Sequence, residues 1–281
     1  MGGGRVGPMN GVLSLVPAGV LVVAGGVLGL LIGSFLNVVV WRVPRGESIV
    51  RPASACPQCA RPIAWYDNLP VVSYLVLRAR CRHCGTRISA RYPLVELATG
   101  AAFALVVWGG VADLYPLAVL PLLLYWVAIG IALTLIDLDH HRLPNVITLP
   151  AYVVTAVLLV VASVVTGEYA RLLAAVIGLV ALGGFYLLLA VGSRGGMGGG
   201  DVKLAGALGL LLGWLGWSQL AVGGFSAFVV GGIVGVALMV IGRAGRKSRV
   251  PFGPFMLLGS WIGVVAGPVL ADGYLSATGL A

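Results

Sequence analysis

Charged residues are scarce in this sequence of 281 residues. Only 10% of the residues are Asp, Glu, Lys or Arg, against about 25% in an ordinary soluble domain, and 59% are hydrophobic. This balance excludes a water-soluble single domain. The 43 glycines show no collagen-like period and lie among leucine, valine and alanine, and glycine is more frequent in membrane helices than in soluble ones. We therefore expect an integral membrane protein with many spans.

Acidic residues are particularly few, with nine Asp and Glu against 18 Lys and Arg. The basic excess does not indicate nucleic-acid binding, because the basic residues are grouped between apolar runs. Nine of them lie in residues 42–91. Four more lie together late in the chain, at Arg243, Arg246, Lys247 and Arg249. Such grouping is typical of cytoplasmic loops under the positive-inside rule. We expect membrane lipid as a partner and no nucleic acid.

Apolar runs divide the chain into about eight predicted spans. Runs at or near the required length of about 17 to 25 residues lie at residues 18–41, 94–111, 117–136, 146–165, 172–191, 204–217, 222–241 and 255–270. The sixth run is short and rich in glycine, so we expect it to be tilted or broken. The predicted fold class is an all-α polytopic membrane protein with about eight transmembrane helices and a small cytoplasmic insert. The predicted division is 1–41 for the N-terminal region and first helix, 42–92 for the insert, and 93–281 for a seven-helix membrane domain.

The distribution of Lys and Arg predicts the orientation. With the insert inside, 16 basic residues lie on the inner side and only Arg5 and Arg171 lie outside. The reverse orientation would place those 16 residues outside, against the positive-inside rule. We expect a multi-pass protein of the inner membrane, with the insert in the cytoplasm. The first apolar run is long enough to span, so we do not expect a cleaved signal.

All four cysteines lie in the insert. Cys56 and Cys59 are followed by Cys81 and Cys84, and two Cys-x-x-Cys pairs about 20 residues apart have the spacing of a four-thiolate zinc ribbon. Cytoplasmic thiols stay reduced, which favours a metal over disulfides. Four thiolates complete a tetrahedron, so the predicted Zn²⁺ is structural. A module of about 50 residues with few apolar stretches needs such a staple to fold.

Three aspartates lie at predicted inner ends of spans. Asp137 and Asp139 end the third span, and Asp201 follows three glycines at the start of the sixth. Carboxylates at membrane depth are costly and are usually functional or paired. Two carboxylates support peptide hydrolysis when one, ionised, takes a proton from water and the other, protonated, donates to the carbonyl oxygen. The glycines would let the backbone beside Asp201 approach a substrate strand.

Other interpretations of these acids stay open on the residues alone. Asp137 and Asp201 could serve as interfacial caps or ion pairs, and Asp139 as a solvated loop carboxylate near Arg142. A proton- or cation-coupled transporter would use aspartates as a relay, although it has no evident need for a zinc ribbon and its acids would more often lie at mid-span. A non-enzymatic membrane assembly factor is a further alternative.

Motifs along nearly the whole chain resemble those of the type IV prepilin leader peptidases, membrane aspartic enzymes of the G-x-G-D type. They lie at residues 33–38, 56–59, 65–70, 81–84, 91–96, 136–145, 198–204 and 251–255. The resemblance implies that Asp137 and Asp201 are the catalytic pair. The first family aspartate stands seven residues before the proline of a Pro-Asp or Pro-Asn, here Pro144, which leaves Asp139 as the runner-up. Many members carry Asp where this chain has Asn145.

The resemblance also implies a substrate and a second activity. Family members cut the basic leader of prepilins and pseudopilins on the cytoplasmic side, and many then methylate the new N-terminus with S-adenosylmethionine. The cysteine insert marks these bifunctional members. No strand followed by a glycine-rich turn into a helix appears in the sequence, so a methyl-donor site rests on the resemblance alone. Helix capping competes with substrate contact for Glu96, and helix packing competes with it for Asn37. The substrate-binding candidates are Gly198, Gly199, Gly200, Glu96 and Asn37.

Overall fold

The computed structural model describes residues 16–193, 197–242 and 250–279, and the regular structure of these residues is helical. The α-helices are α1 (Ala18–Arg42), α2 (Val72–Val76), α3 (Arg91–Val111), α4 (Leu120–His140), α5 (Asn145–Thr166), α6 (Ala170–Gly192), α7 (Gly199–Leu215), α8 (Trp217–Val240) and α9 (Gly253–Thr278). Short 3₁₀ turns cover Val43–Arg45, Trp65–Asn68 and Leu117–Val119. Within the described ranges, extended pairing is limited to two isolated bridges in the insert. The predicted all-α class is confirmed.

Seven of the described helices, α1, α3 to α6, α8 and α9, are long and apolar enough to cross a membrane. The predicted span at 204–217 corresponds to α7, whose 17 residues extend about 25 Å, less than a hydrocarbon core of about 30 Å. Every residue of α7 from 204 to 214 is buried. Neighbouring helices therefore enclose α7, and its short length is compatible with a place inside the bundle. The polytopic membrane class is confirmed.

The described chain separates into two compact units, with the boundary between Ala132 and Leu133 inside α4. The division into 1–41, 42–92 and 93–281 stays a prediction. So does the orientation, because part of its support, namely Arg5, Arg194 and the basic cluster at 243–249, lies outside the described residues.

In the first unit, α1 packs against α3 through glycines spaced four residues apart. Gly25, Gly29 and Gly33 are buried, and a Cβ atom on Gly29 would lie 2.7 Å from the carbonyl oxygen of Thr99. Small residues at this spacing let membrane helices approach closely. The insert begins where α1 ends and finishes where α3 begins, so both of its ends are attached to this packed pair.

In the second unit, α7 packs closely on α6 and is bonded to α5. A side chain on Gly178 of α6 would collide with the carbonyl oxygen of Gly209. The indole N–H of Trp214 donates a hydrogen bond to Ser163 Oγ of α5, at 2.8 Å. These contacts fix the position of α7, and with it the N-terminal turn that carries Asp201.

Candidate active site

Asp137 lies in the last turn of α4. The helix continues to His140, past the predicted run of 117–136, because a charged residue ends an apolar run without ending a helix. Asp137 is only 4% exposed. Its Oδ2 accepts a hydrogen bond from the backbone N–H of Gly253, the first residue of α9, at 3.1 Å. This bond holds the carboxyl group in one orientation at the start of α9.

Asp201 lies in the first turn of α7. The N–H of Gly198 donates to Asp201 Oδ2 at 3.3 Å, and the N–H of Asp201 donates to the carbonyl oxygen of Gly198 at 3.1 Å. A carboxylate in the first turn also interacts favourably with the helix dipole. The Gly-Gly-Gly-Asp segment therefore holds this side chain at the N-terminal end of α7.

The loop between α4 and α5 contacts the residues next to both acids. Leu143 in this loop is buried and lies against two glycines. A Cβ atom on Gly200 would be 3.1 Å from Leu143 Cβ, and one on Gly253 would be 3.2 Å from Leu143 Cδ2. The carboxyl groups of Asp137 and Asp201 interact electrostatically with each other. The structure thus places these two acids in one site, formed by the C-terminal end of α4 and the N-terminal ends of α7 and α9.

Asp139 lies in a different environment from Asp137. It is exposed, whereas Asp137 is buried. Two residues along an α-helix turn the side chain by about 200°, so the two acids lie on opposite faces of α4. Burial beside Asp201 therefore favours Asp137 over Asp139 as the partner of Asp201.

Bonds between α5 and α7 flank the site. Lys203 Nζ donates to Asn145 Oδ1 at 2.9 Å, and the hydroxyl of Tyr152 donates to the carbonyl oxygen of Lys203 at 2.5 Å. Lys203 lies two residues after Asp201, and Asn145 provides a neutral acceptor for its ammonium group. These bonds hold the start of α5 beside α7 and so restrain the loop that carries Leu143.

Two contributors to the site were missed from the sequence. Gly253 belongs to the motif at residues 251–255 described above, but its role is visible only from its hydrogen bond to Asp137. Tyr186 of α6 is 1% exposed and lies near Asp201. Its ring packs against Phe228 and Phe252 at ring-centroid distances of 5.4 and 6.1 Å. In the sequence, Tyr186 is one aromatic residue in an apolar run, and nothing there shows that it lies near Asp201.

Glu96 and Asn37, both in the first unit, bind the chain itself. Glu96 Oε2 accepts from the backbone N–H of Val71 at 2.8 Å. Asn37 Nδ2 donates to the carbonyl oxygens of Gly33 and Tyr92, at 3.3 and 3.2 Å. The helix-capping interpretation of Glu96 is wrong, because α3 begins at Arg91 and has no acid in its first turn. The helix starts earlier than the apolar run, and Glu96 ties the insert to it.

The four cysteines form one cluster. Their Sγ atoms all lie within 4.8 Å of one another, and those of Cys56 and Cys84 are 3.8 Å apart. Zinc–sulfur bonds of about 2.3 Å in a tetrahedron place sulfur atoms about 3.8 Å apart. All four cysteines are free thiols. The cluster therefore fits a single tetrahedral metal ion.

Hydrogen bonds around the cluster favour the thiolate form of Cys84 and Cys56. Hydrogen bonds from the side chain and backbone of Thr86 lower the pKa of Cys84 to about 6, and backbone N–H groups of Cys59 and Gln58 lower the pKa of Cys56. At Cys59 the N–H of Arg61 lowers the pKa, but burial and neighbouring sulfur atoms outweigh it and raise the pKa to about 11. Four thiolates this close repel one another, so full deprotonation needs a bound cation.

An ion pair between Asp67 and Arg82 joins two segments of the insert. Arg82 Nη2 and Nε donate to the two carboxylate oxygens of Asp67, at 2.5 and 2.8 Å. Hydrogen bonding to this guanidinium holds the pKa of Asp67 below its usual range. The pair connects the 3₁₀ turn at Trp65–Asn68 to the second Cys-x-x-Cys segment.

Comparison with known proteins bears on both units. The bacterial peptidase A24 N-terminal domain matches residues 27–109, and the type IV leader peptidase family matches residues 122–240. A prepilin leader peptidase/N-methyltransferase of Neisseria gonorrhoeae is 37% identical over 265 residues, covering 84% of this chain and 87% of the relative. Proteins with the same name are similar in Myxococcus xanthus (strain DK1622), at 42% identity over 79% of this chain and 65% of the relative, and in Aeromonas salmonicida (strain A449), at 35% identity over 88% and 91%. No solved structure matches the chain.

Proposed function

The chain belongs to the type IV leader peptidase family, and we propose that it removes the leader of type IV prepilins and pseudopilins and then methylates the new N-terminus. The observation that carries the peptidase proposal is the site shared by Asp137 and Asp201, each held by a backbone N–H. The names of the similar proteins support the substrate and the methylation step.

The proposed chemistry uses the two carboxyl groups in complementary states. One, ionised, takes a proton from the attacking water, while the other, protonated, donates to the carbonyl oxygen of the scissile peptide. The N–H groups of Gly253 and Gly198 each bind one oxygen of their carboxyl group. The second oxygen of each carboxyl group then serves proton transfer, in an orientation set before substrate arrives.

We place the cleavage at the inner boundary of the membrane. Both acids lie at helix ends, Asp137 in the last turn of α4 and Asp201 in the first turn of α7. A prepilin presents a hydrophobic helix in the bilayer and a basic leader in the cytoplasm, so its scissile bond lies at this depth, where water is available. The glycines at 198–200 give the substrate backbone access to Asp201. For Glu96 and Asn37, their bonds within the chain favour a positioning role over direct contact with substrate.

The methyl donor is proposed to be S-adenosylmethionine, as the resemblance implies. Within residues 16–193, 197–242 and 250–279 there is no β-strand of the kind that opens into a nucleotide-binding turn. We therefore assign no residues to the donor. The methylation step rests on the similar proteins.

A cleavage assay tests the proposal. Full-length protein in detergent is incubated with a prepilin, with and without S-adenosylmethionine, and the mature product is analysed by mass spectrometry. We expect the leader to be lost in both reactions and the product to be one methyl group heavier only when the donor is present. An unchanged prepilin would overturn the peptidase proposal, and cleavage without methylation would overturn the second activity alone.

We propose that the cysteine cluster binds one structural Zn²⁺ through Cys56, Cys59, Cys81 and Cys84. Because four thiolates leave no open coordination position, the metal holds the insert together and takes no part in peptide hydrolysis. We expect one zinc per purified chain by elemental analysis. Cys84→Ser is expected to lose the metal and to increase hydrogen exchange across residues 53–87.

A neighbouring histidine provides the control for the zinc prediction. His83 lies between Cys81 and Cys84, and its Nδ1 is 3.3 Å from Arg61 Nη1. His83→Ala should keep the full zinc content. Loss of zinc in this variant, or purified protein without zinc, would contradict the four-cysteine site.

Gly200→Val is expected to lower kcat/KM for prepilin cleavage at least about tenfold, roughly 1.4 kcal/mol of transition-state stabilisation. Even a Cβ atom there would be 3.1 Å from Leu143 Cβ, so a valine pushes Leu143 towards Gly253 and crowds the substrate approach to Asp201. Gly192→Val is the control, since a Cβ on Gly192 meets nothing within 4 Å. Equal activities of the two variants would show that Gly200 is only part of a flexible connector.

A further inference from the structure

The insert carries an apolar face that the described chain leaves uncovered. In α2, Val72, Leu75 and Val76 are 55%, 68% and 70% exposed, and their spacing puts them on one face of the helix. Ser73 is buried instead and its hydroxyl donates to the carbonyl oxygen of Tyr66, at 2.8 Å. The apolar face of α2 thus points outward and the polar Ser73 points inward. A helix on the surface of a module surrounded by water has the opposite arrangement.

The position of α2 along α3 shows what surrounds that face. The 21 residues of α3 extend about 30 Å, the thickness of the hydrocarbon core, so α3 needs its whole length to cross. Glu96 is in the second turn of α3, and it accepts the hydrogen bond from Val71, the residue before α2. The start of α2 therefore lies beside the second turn of a membrane-spanning helix, at the boundary of the bilayer.

The residues around α2 are those of a membrane interface. Arg78 and Arg80 follow the helix and are exposed, and Trp65 is 80% exposed. Tryptophan concentrates at the level of lipid headgroups, and arginine beside an apolar face attracts anionic lipids. The apolar side chains and the cationic side chains belong to one short segment of the insert.

We propose that α2 docks the insert on the bilayer, with Val72, Leu75 and Val76 in contact with acyl chains and the arginines at the phosphate groups of anionic phospholipid. A protein partner fits this face less well. Stable protein interfaces use about 20 to 30 residues a side, whereas α2 has five. A few apolar side chains suffice for lipid contact because α1 and α3 already hold the insert at the membrane. The inference does not depend on the peptidase chemistry.

Photocrosslinking in a bilayer tests the lipid contact. The full-length protein, with Leu75 replaced by benzoylphenylalanine, is reconstituted in nanodiscs of phosphatidylglycerol and phosphatidylethanolamine, illuminated and analysed by mass spectrometry. The matched control carries the same group at Gln58, which is exposed in the insert between Cys56 and Cys59. We expect a phospholipid adduct at position 75 in yield at least about fivefold above that at position 58.

A second measurement covers the case in which the bulky group alters the insert. Brominated acyl chains quench tryptophan fluorescence at short range, and the contribution of Trp65 is obtained by subtracting the Trp65→Phe variant. Leu75→Ser combined with Val76→Ser should reduce this quenching while leaving the zinc content unchanged. Equal lipid yields at positions 75 and 58, adducts with a second copy of the chain or with an added prepilin, or unchanged quenching would overturn the proposal. None of these results requires an active enzyme.

Discussion

Asp137→Asn and Asp201→Asn are each expected to lower prepilin cleavage by at least about 1,000-fold, or roughly 4 kcal/mol. An amide does not exchange the proton that the proposed reaction moves, yet it keeps nearly the shape of the acid. Its carbonyl oxygen still accepts the hydrogen bond from Gly253 at position 137 or from Gly198 at position 201. The variants should therefore fold and insert normally. The measurement is the single-turnover cleavage rate, alongside the amount of protein in the membrane.

Asp139→Asn is the matched control for this prediction. The change is chemically the same and lies two residues from Asp137 on α4, but the side chain is exposed. We expect this variant to keep most of its activity. Full activity of Asp137→Asn together with an inactive Asp139→Asn would show that the wrong acid was assigned to the pair. Equal and complete losses in all three variants would indicate that the negative charge of all three acids is required, rather than a defined pair.

The sequence predicts the membrane helices well because their signal is local. A run of apolar side chains of sufficient length identifies a helix without knowledge of its neighbours. Seven of the eight predicted spans correspond to helices that are long and apolar enough to cross a membrane. The exception is α7, whose length is short for a span and whose side chains from 204 to 214 are buried. Its enclosure by other helices depends on contacts between distant segments, which a hydropathy pattern does not contain.

In the candidate site, too, the sequence reveals local features but not contacts between distant segments. The acids and the glycines around Asp201 are visible in the sequence because carboxylates are rare in such a chain. Other features of the site join segments far apart in the chain. Leu143 packs between Gly200 and Gly253, and the N–H of Gly253 bonds to Asp137. Glu96 shows the same limit. The sequence predicts that it belongs to the second span, but it predicts neither its position in the second turn of α3 nor its bond to Val71.

Gly253→Ala is expected to lower kcat for cleavage about 100-fold, or roughly 2.7 kcal/mol, with little change in KM. A Cβ atom at this position would lie 2.7 Å from Asp137 Oδ2 and 3.2 Å from Leu143 Cδ2. The carboxyl group must rotate away to relieve the contact, and it then loses the hydrogen bond from the Gly253 N–H. Asp137 stays present and buried but points in a direction that no longer matches the water and the substrate.

Two glycines of α9 separate this orientation effect from a loss of stability. Gly259→Ala should destabilise the fold, because its Cβ would lie 2.6 Å from the backbone nitrogen of Ala227 in the packed partner helix α8. Gly273→Ala should change neither stability nor activity, since its Cβ meets nothing within 4 Å. Gly253→Ala should lose much less thermal stability than Gly259→Ala, because a side chain rather than the backbone gives way, and it should differ from Gly273→Ala chiefly in kcat. Normal turnover by Gly253→Ala would show that the backbone bond to Asp137 does not set the reactive geometry, whereas a fall in melting temperature like that of Gly259→Ala would show that Gly253 serves packing.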